Sequence, residues 1–398
     1  MDITTSETLH RSSLRGSTAC YVFDRRLMQM NIFSMFNEFA SRYSNFRLGY
    51  SFKTNYLRAV CETAIDFRCM AEVVSPYELE YARTLTDDRN IIYNGVIPDP
   101  EGKIEVAAAG GIVNVDNLEE YRMLSELACG RGTEIKIGVR VTFDIGNGMK
   151  SRFGIDITGN DFNTLLDEVK SDSFVSIAGF HCHIGSSRPV KYWVQKVEIM
   201  SQLAKEYGVK YIDLGGGMYG PMPDELARQF PEYPDSYAAY AKEICRVMKK
   251  TFPKEDVRLI LEPGTALVGN TMVLVSEAVN IKTANGRQYV TLNCNSNHAG
   301  FLCDCKNIPV EVIQNGNDKS VHIENGYLAG NTCLEFDYLR KDFTGDIAVG
   351  DTVIIKNVGA YSFSSSRQFI VPRLAAYDAE GNLLMEAETY ADMFRKNK

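Results

Sequence analysis

Five kinds of residue in this chain have side chains or backbones able to do chemistry. Lys53 stands in "LGYSFKTNYL", where a short apolar run meets a polar turn; His183 and Ser186 close "GFHCHIGS". Gly215, Gly216 and Gly217 follow "YIDL", and Glu262 opens "EPGT" directly after "RLIL". A lysine amine in a drier site has its pKa lowered and can condense with an aldehyde. Backbone N–H groups of a glycine-rich loop can approach a phosphate closely, because no Cβ intervenes. A buried carboxylate can keep a pyridine nitrogen protonated and so make the ring an electron sink, while an imidazole stacks on its face. Singly, each has an ordinary reading: a solvated lysine, a plain turn, a satisfied histidine, a Glu-Pro-Gly break.

What joins them is their place in the pattern of elements. Short apolar runs such as "FRLGYSF", "NIIYNGVI", "GIVNVDN", "EIKIGVRV", "SIAGFHCHIG", "KYIDLGGGM" and "RLILEPG" read as buried parallel strands. Amphipathic stretches such as "SPYELEYARTL" and "KYWVQKVEIMSQLAKEYG" lie between them and read as helices. Seven to eight such units over residues 45–270 predict an α/β fold, a (β/α)8 TIM barrel; periodicity alone also allows an open doubly wound sheet. The reactive residues all fall at the C-terminal ends of these strands, the face where barrel enzymes build their sites. Pyridoxal phosphate is the one cofactor that uses lysine, glycine loop, carboxylate and imidazole together.

After Gly269 the text turns β-rich, with "ANG", "QNGND" and "AVGD" as turn signals. Residues 271–398 therefore read as a second, mostly β domain. Residues 1–44, with the strand "TACYVFD" and the helix after it, are expected to join that domain.

Composition narrows the function classes. The 398 residues are 45% hydrophobic and 24% charged, ordinary for a globular protein. With 43 Lys+Arg against 51 Asp+Glu the formal charge is −8, which argues against nucleic acid or an anionic membrane as partner. The ten cysteines are scattered, and Cys294, Cys303 and Cys305 lack the companions of a zinc site, so no metal is expected. The opening "MDITTSETLHRSSLRG" has no apolar core of a secretory signal, and no run is long enough to span a membrane, so the expected location is the cytoplasm.

The motifs "YSFKTN", "AEVVSPYELEYA", "RFGI", "HCHIGSS", "DLGGGMYG", "EPGTALV", "CLEFD" and "GAYSFS" run through nearly the whole chain. In that order they resemble the fold-type III pyridoxal-phosphate decarboxylases: diaminopimelate, ornithine and carboxynorspermidine decarboxylases, with the alanine racemase-like barrel. The resemblance implies that Lys53 is the Schiff-base lysine, Glu72 an acidic neighbour of lysine and ring, His183 the stacking histidine and Glu262 the pyridine-nitrogen partner. Ser186, Gly216, Gly217, Gly264, Thr265 and Tyr361 would surround the phosphate. Cys333 would come from the partner subunit of a homodimer to reprotonate the product carbon. That cysteine favours decarboxylation over racemisation.

Asp337 and Glu335 would lie on the substrate side. Three departures bear on the substrate: Thr265 stands where the family has arginine, "NSNHAGFLCDCKN" lacks an arginine and a tyrosine, and Leu334 follows Cys333 where an acid is usual. They predict a carboxynorspermidine-like, polyamine, modified-peptide or other natural-product substrate rather than meso-diaminopimelate. Ornithine, lysine or diaminopimelate are the alternative, as is a regulator-binding homologue that has lost catalysis.

Overall fold

The computed structural model describes residues 19–316 and 319–395, so most of the polar N-terminal stretch lies outside the described residues. The described chain begins with β1 (Cys20–Phe23) and the helix Arg25–Ala40, whose first turn is capped by the Asp24 carboxylate accepting from the Leu27 N–H at 2.8 Å. Parallel strands follow: β2 (Phe46–Ser51), β3 (Met70–Val73), β4 (Ile91–Tyr93), β5 (Ile112–Val115) and β6 (Ile135–Thr142). A two-residue strand, β7 (Ile155–Asp156), sits beside β6, and β8 (Val175–His181), β9 (Tyr211–Asp213) and β10 (Arg258–Leu261) complete the series.

Two pairings decide between the barrel and the open sheet. Asn114 of β5 lies opposite Gly138 of β6, and Leu259 of β10 lies opposite Phe46 of β2. The eight strands β2–β6 and β8–β10 thus close on themselves. They are apolar on both faces because helices cover the outside and side chains fill the inside. Met70, Ile92, Ile112, Tyr211 and Ile260 form the inner cluster. Tyr211 fits there because Gly138 and Gly179 face it: a Cβ on Gly138 would lie 2.1 Å from its hydroxyl, and one on Gly179 2.3 Å from its ring.

Beyond the barrel lie β11 (Met272–Ala284), β12 (Arg287–Leu292), β13 (Val310–Ile313), β14 (Val321–Ala329), β15 (Tyr338–Ile347), β16 (Thr352–Ile355), β17 (Ala375–Asp378) and β18 (Leu383–Met385). They form a mostly β second domain in which β1 runs between β11, antiparallel, and β17, parallel. One apolar core runs continuously through both parts. No helix among the described residues is long and apolar enough to cross a membrane. One local expectation shifts: the strand "SIAGFHCHIG" ends at His181, so His183 lies on the turn that leaves the barrel.

Candidate active site

Lys53 sits in a single helical turn, Phe52–Thr54, immediately after β2, so its amine projects from the barrel mouth. Its Nζ donates to Glu72 Oε2 at 2.5 Å, and the Ser51 hydroxyl donates to the same oxygen at 2.5 Å. Glu72 is buried and reaches this point from β3. Burial lowers the Lys53 pKa, but the charges of Glu72 and Glu262 outweigh it, and the amine is held above its ordinary value.

Glu262, at the end of β10, is the centre of a second buried group. Its Oε1 accepts from Asn94 Nδ2 at 2.7 Å and its Oε2 lies 3.2 Å from His181 Nε2. Burial pushes the Glu262 carboxyl upward, yet His181 and Lys53 prevail and hold it below the ordinary carboxylate range. Asp213, at the end of β9, goes the other way: burial and the Glu262 charge push it well above that range. Donor atoms of His181, Asp213 and Glu262 converge within 4.8 Å. His183 is driven to its neutral form by burial, with Lys196, Lys53 and Arg140 adding to the effect. Its Nδ1 accepts from the Gly216 N–H at 3.1 Å, which ties the imidazole to the glycine loop.

Lys53, Glu72, Asn94, His181, His183 and Glu262 face one cavity of about 490 Å³ at the C-terminal end of the barrel. Ser186, Gly216, Gly217, Gly264, Thr265 and Tyr361 line it together with Lys53, Glu72, His183 and Glu262. The cradle is cut to the absence of side chains: a Cβ on Gly216 would lie 2.5 Å from the Glu262 carbonyl oxygen, and one on Gly264 1.9 Å from Thr54 Oγ1. Among the described residues that buried Thr54 hydroxyl has no hydrogen-bond partner, and neither does His181 Nδ1. Ser186 and Tyr361 hold left-handed backbone, φ 55° and 56°, a strain of about 1–3 kcal/mol each that functional sites tolerate. Backbone amides, a spare hydroxyl and a neutral imidazole on one side, with an anionic carboxylate on the other, fit a phosphorylated pyridine.

Residues 29–269 match the family described as "Pyridoxal-dependent decarboxylase, pyridoxal binding domain". The chain belongs to this family. Among curated relatives, the diaminopimelate decarboxylase of Archaeoglobus fulgidus is 28% identical, covering 96% of this chain and 93% of its own length. That of Methanocaldococcus jannaschii is 27% identical over 88% of this chain and 84% of its own. Diaminopimelate decarboxylase from Helicobacter pylori, complexed with L-lysine, has the same fold, with a TM-score of 0.84 at 19% identity over 98% of each chain. The arginine decarboxylase of Paramecium bursaria Chlorella virus bound to agmatine superposes with a TM-score of 0.74 at 16% identity, over 89% of this chain and 94% of that one. This pyridoxal-phosphate decarboxylase is thus an enzyme, and the regulator-binding alternative falls away. The expectation against diaminopimelate finds no support in the relatives: those spanning most of the chain carry that activity in their names.

In the decarboxylase, three expected residues stand apart from the cavity. Cys333, Leu334, Glu335 and Phe336 are exposed on the loop between β14 and β15. Asp337 is buried beneath that loop, its Oδ1 accepting from the Ser296 N–H at 2.8 Å and its Oδ2 from the Thr332 N–H at 3.0 Å and hydroxyl at 2.6 Å. Both oxygens are therefore engaged within their own chain, one on Ser296 and the other on Thr332 of the loop. Sequence reasoning missed Asn94, His181, Asp213, Arg140, Arg152 and Arg188. His181 and Asp213 end β8 and β9 and Asn94 follows β4, so the strand-end rule that singled out Lys53 covers them as well.

Proposed function

We propose that the enzyme removes the α-carboxylate from a small amino acid that carries a second carboxylate, of the diaminopimelate type. The observation that carries this reading is the charge of the cavity. Its two carboxylates, Glu72 and Glu262, are engaged at the floor, whereas Arg152 and Arg188 line it without an ion pair among the described residues. Arg152 stacks 3.9 Å from the Phe153 ring centroid, and Arg188 lies 3.4 Å from the Met218 carbonyl oxygen. One guanidinium would be matched by the phosphate of the cofactor, leaving the other for an anionic group at the far end of a substrate. The names of the curated relatives support the same substrate class.

Bound pyridoxal phosphate supplies the electron sink that makes loss of carbon dioxide feasible. The protein's own residues do the rest. Glu72 and Ser51 hold the Lys53 amine in place; Glu262 would keep a proton on the ring nitrogen, and the neutral His183 would lie against the ring. Cys333 of a second copy would deliver the proton to the product carbon, so that the working unit would be a homodimer. Thr265 and Leu334 favour a second reading, a carboxynorspermidine-type substrate.

Carbon dioxide release from meso-diaminopimelate, lysine, ornithine, arginine and carboxynorspermidine, offered to the cofactor-loaded enzyme, tests this. Preferential turnover of diaminopimelate is expected. Preference for carboxynorspermidine establishes the second reading, and turnover of none of them contradicts both.

A further inference from the structure

A directional hydrogen-bond chain runs through the barrel interior into both catalytic-face carboxylates. The Tyr211 hydroxyl donates to Asn114 Oδ1 at 3.0 Å, and Asn114 Nδ2 donates to Asn94 Oδ1 at 2.8 Å. Asn94 Nδ2 then donates twice, to Glu262 Oε1 at 2.7 Å and to Glu72 Oε1 at 3.1 Å. All five residues are buried. An amide nitrogen carries two hydrogens, and both are spent on carboxylates. Reversing the chain would aim Asn94 Oδ1 at two carboxylate oxygens, so the direction is fixed. Tyr211 and Asn114 are outside the cavity lining; their hydrogen bonds reach it through Asn94.

Every other group around the pair fits this arrangement. Lys53 and Ser51 occupy Glu72 Oε2, His181 faces Glu262 Oε2, and Asp213 lies beside it. Lys196, wholly buried behind the glycine loop and donating to the Leu214 carbonyl at 2.8 Å, adds positive charge from the helix Val190–Tyr207. Burial of two carboxylates is costly unless each is paired and hydrogen-bonded, and a charge-assisted bond to each offsets part of that cost. We propose that Asn94, oriented by Asn114 and Tyr211, is a positioning residue that fixes Glu72 and Glu262 as one linked anionic pair spanning the cofactor site from the Lys53 amine to the ring nitrogen. The inference rests on the cofactor site and is independent of which substrate is used.

Cofactor-free protein titrated with pyridoxal phosphate tests it, using wild type, Asn94→Leu, Tyr211→Phe and the double variant. The readouts are the Kd and the pH midpoint of the bound cofactor's visible absorption. Asn94→Leu is expected to raise the Kd about 10- to 100-fold, the range for a lost hydrogen bond to a charged group, and to displace the midpoint. Tyr211→Phe moves both in the same direction, but adds nothing in the Asn94→Leu background, because its effect travels through Asn94. Additive effects in the double variant overturn the inference, as does a folded Asn94→Leu protein with wild-type Kd and midpoint. Should circular dichroism show Asn94→Leu unfolded, Tyr211→Phe decides alone: unchanged Kd and midpoint overturn the inference. Wild type that binds the cofactor yet decarboxylates no amino acid would contradict the proposed substrate class and leave this comparison readable.

Discussion

Glu78 lies near the cavity floor, three residues after Ser75 at the start of the helix Pro76–Arg83. Its carboxylate accepts from the Val74 N–H at 2.8 Å while its own N–H donates to the Ser75 hydroxyl. Burial pushes this carboxyl up to about 7, opposed by the Val74 bond and reinforced by the Glu72 charge. A folded-state value above the unfolded one means that the folded protein takes up the proton more readily. The stability it contributes is complete below the ordinary glutamate range, fades from there to about pH 7, and is absent above. Glu78→Gln should therefore raise the melting temperature at pH 8 by about 2 °C and change little at pH 5, as differential scanning calorimetry at both values would show. At this scale the sequence was legible where a residue belonged to a motif, as Lys53, His183 and Glu262 did. Asn94 belongs to none: an asparagine after a short strand also reads as a turn former, and only the closed barrel turns its amide toward two carboxylates.

Among the elements, β6, β8 and β9 show why strand glycines matter here. Gly138 on β6 lies against Asn114 Oδ1 and the Tyr211 hydroxyl, where an added Cβ would approach to 2.0 and 2.1 Å. Both neighbours are buried and hydrogen-bonded to each other, so neither can yield freely. Gly138→Ala should cost about 1–3 kcal/mol by overpacking, read as a lower urea midpoint, and should weaken cofactor binding because Asn114 orients Asn94. Alternation of strand and helix was plain in the sequence, since helical and buried-strand patterns differ in period and length. Which face of β9 carries Tyr211 inward was not, because parallel strands are apolar on both sides. The second domain's strands were likewise visible, but not the order that sets β1 between β11 and β17; pairing over some 250 to 350 residues leaves no local signature.

For the molecule as a whole, the question is what completes the cavity. One protomer brings Lys53, Glu72, His183 and Glu262 to it, while Cys333 is exposed on the second domain beside Leu334 and Phe336, the latter 87% exposed. Exposed Leu334 and Phe336 flanking a candidate acid are suited to packing on another copy. The two-fold arrangement would let each copy complete the other's site. Mixing two defective enzymes tests this most directly. Lys53→Ala and Cys333→Ala proteins should each lose most of their carbon dioxide release with whichever substrate the panel selects. Dissociated and reassembled in equal amounts, they should recover about a quarter of wild-type activity, because half the dimers are mixed and each of these holds one intact site. No recovery from the mixture, or a Cys333→Ala protein as active as wild type, would contradict the account.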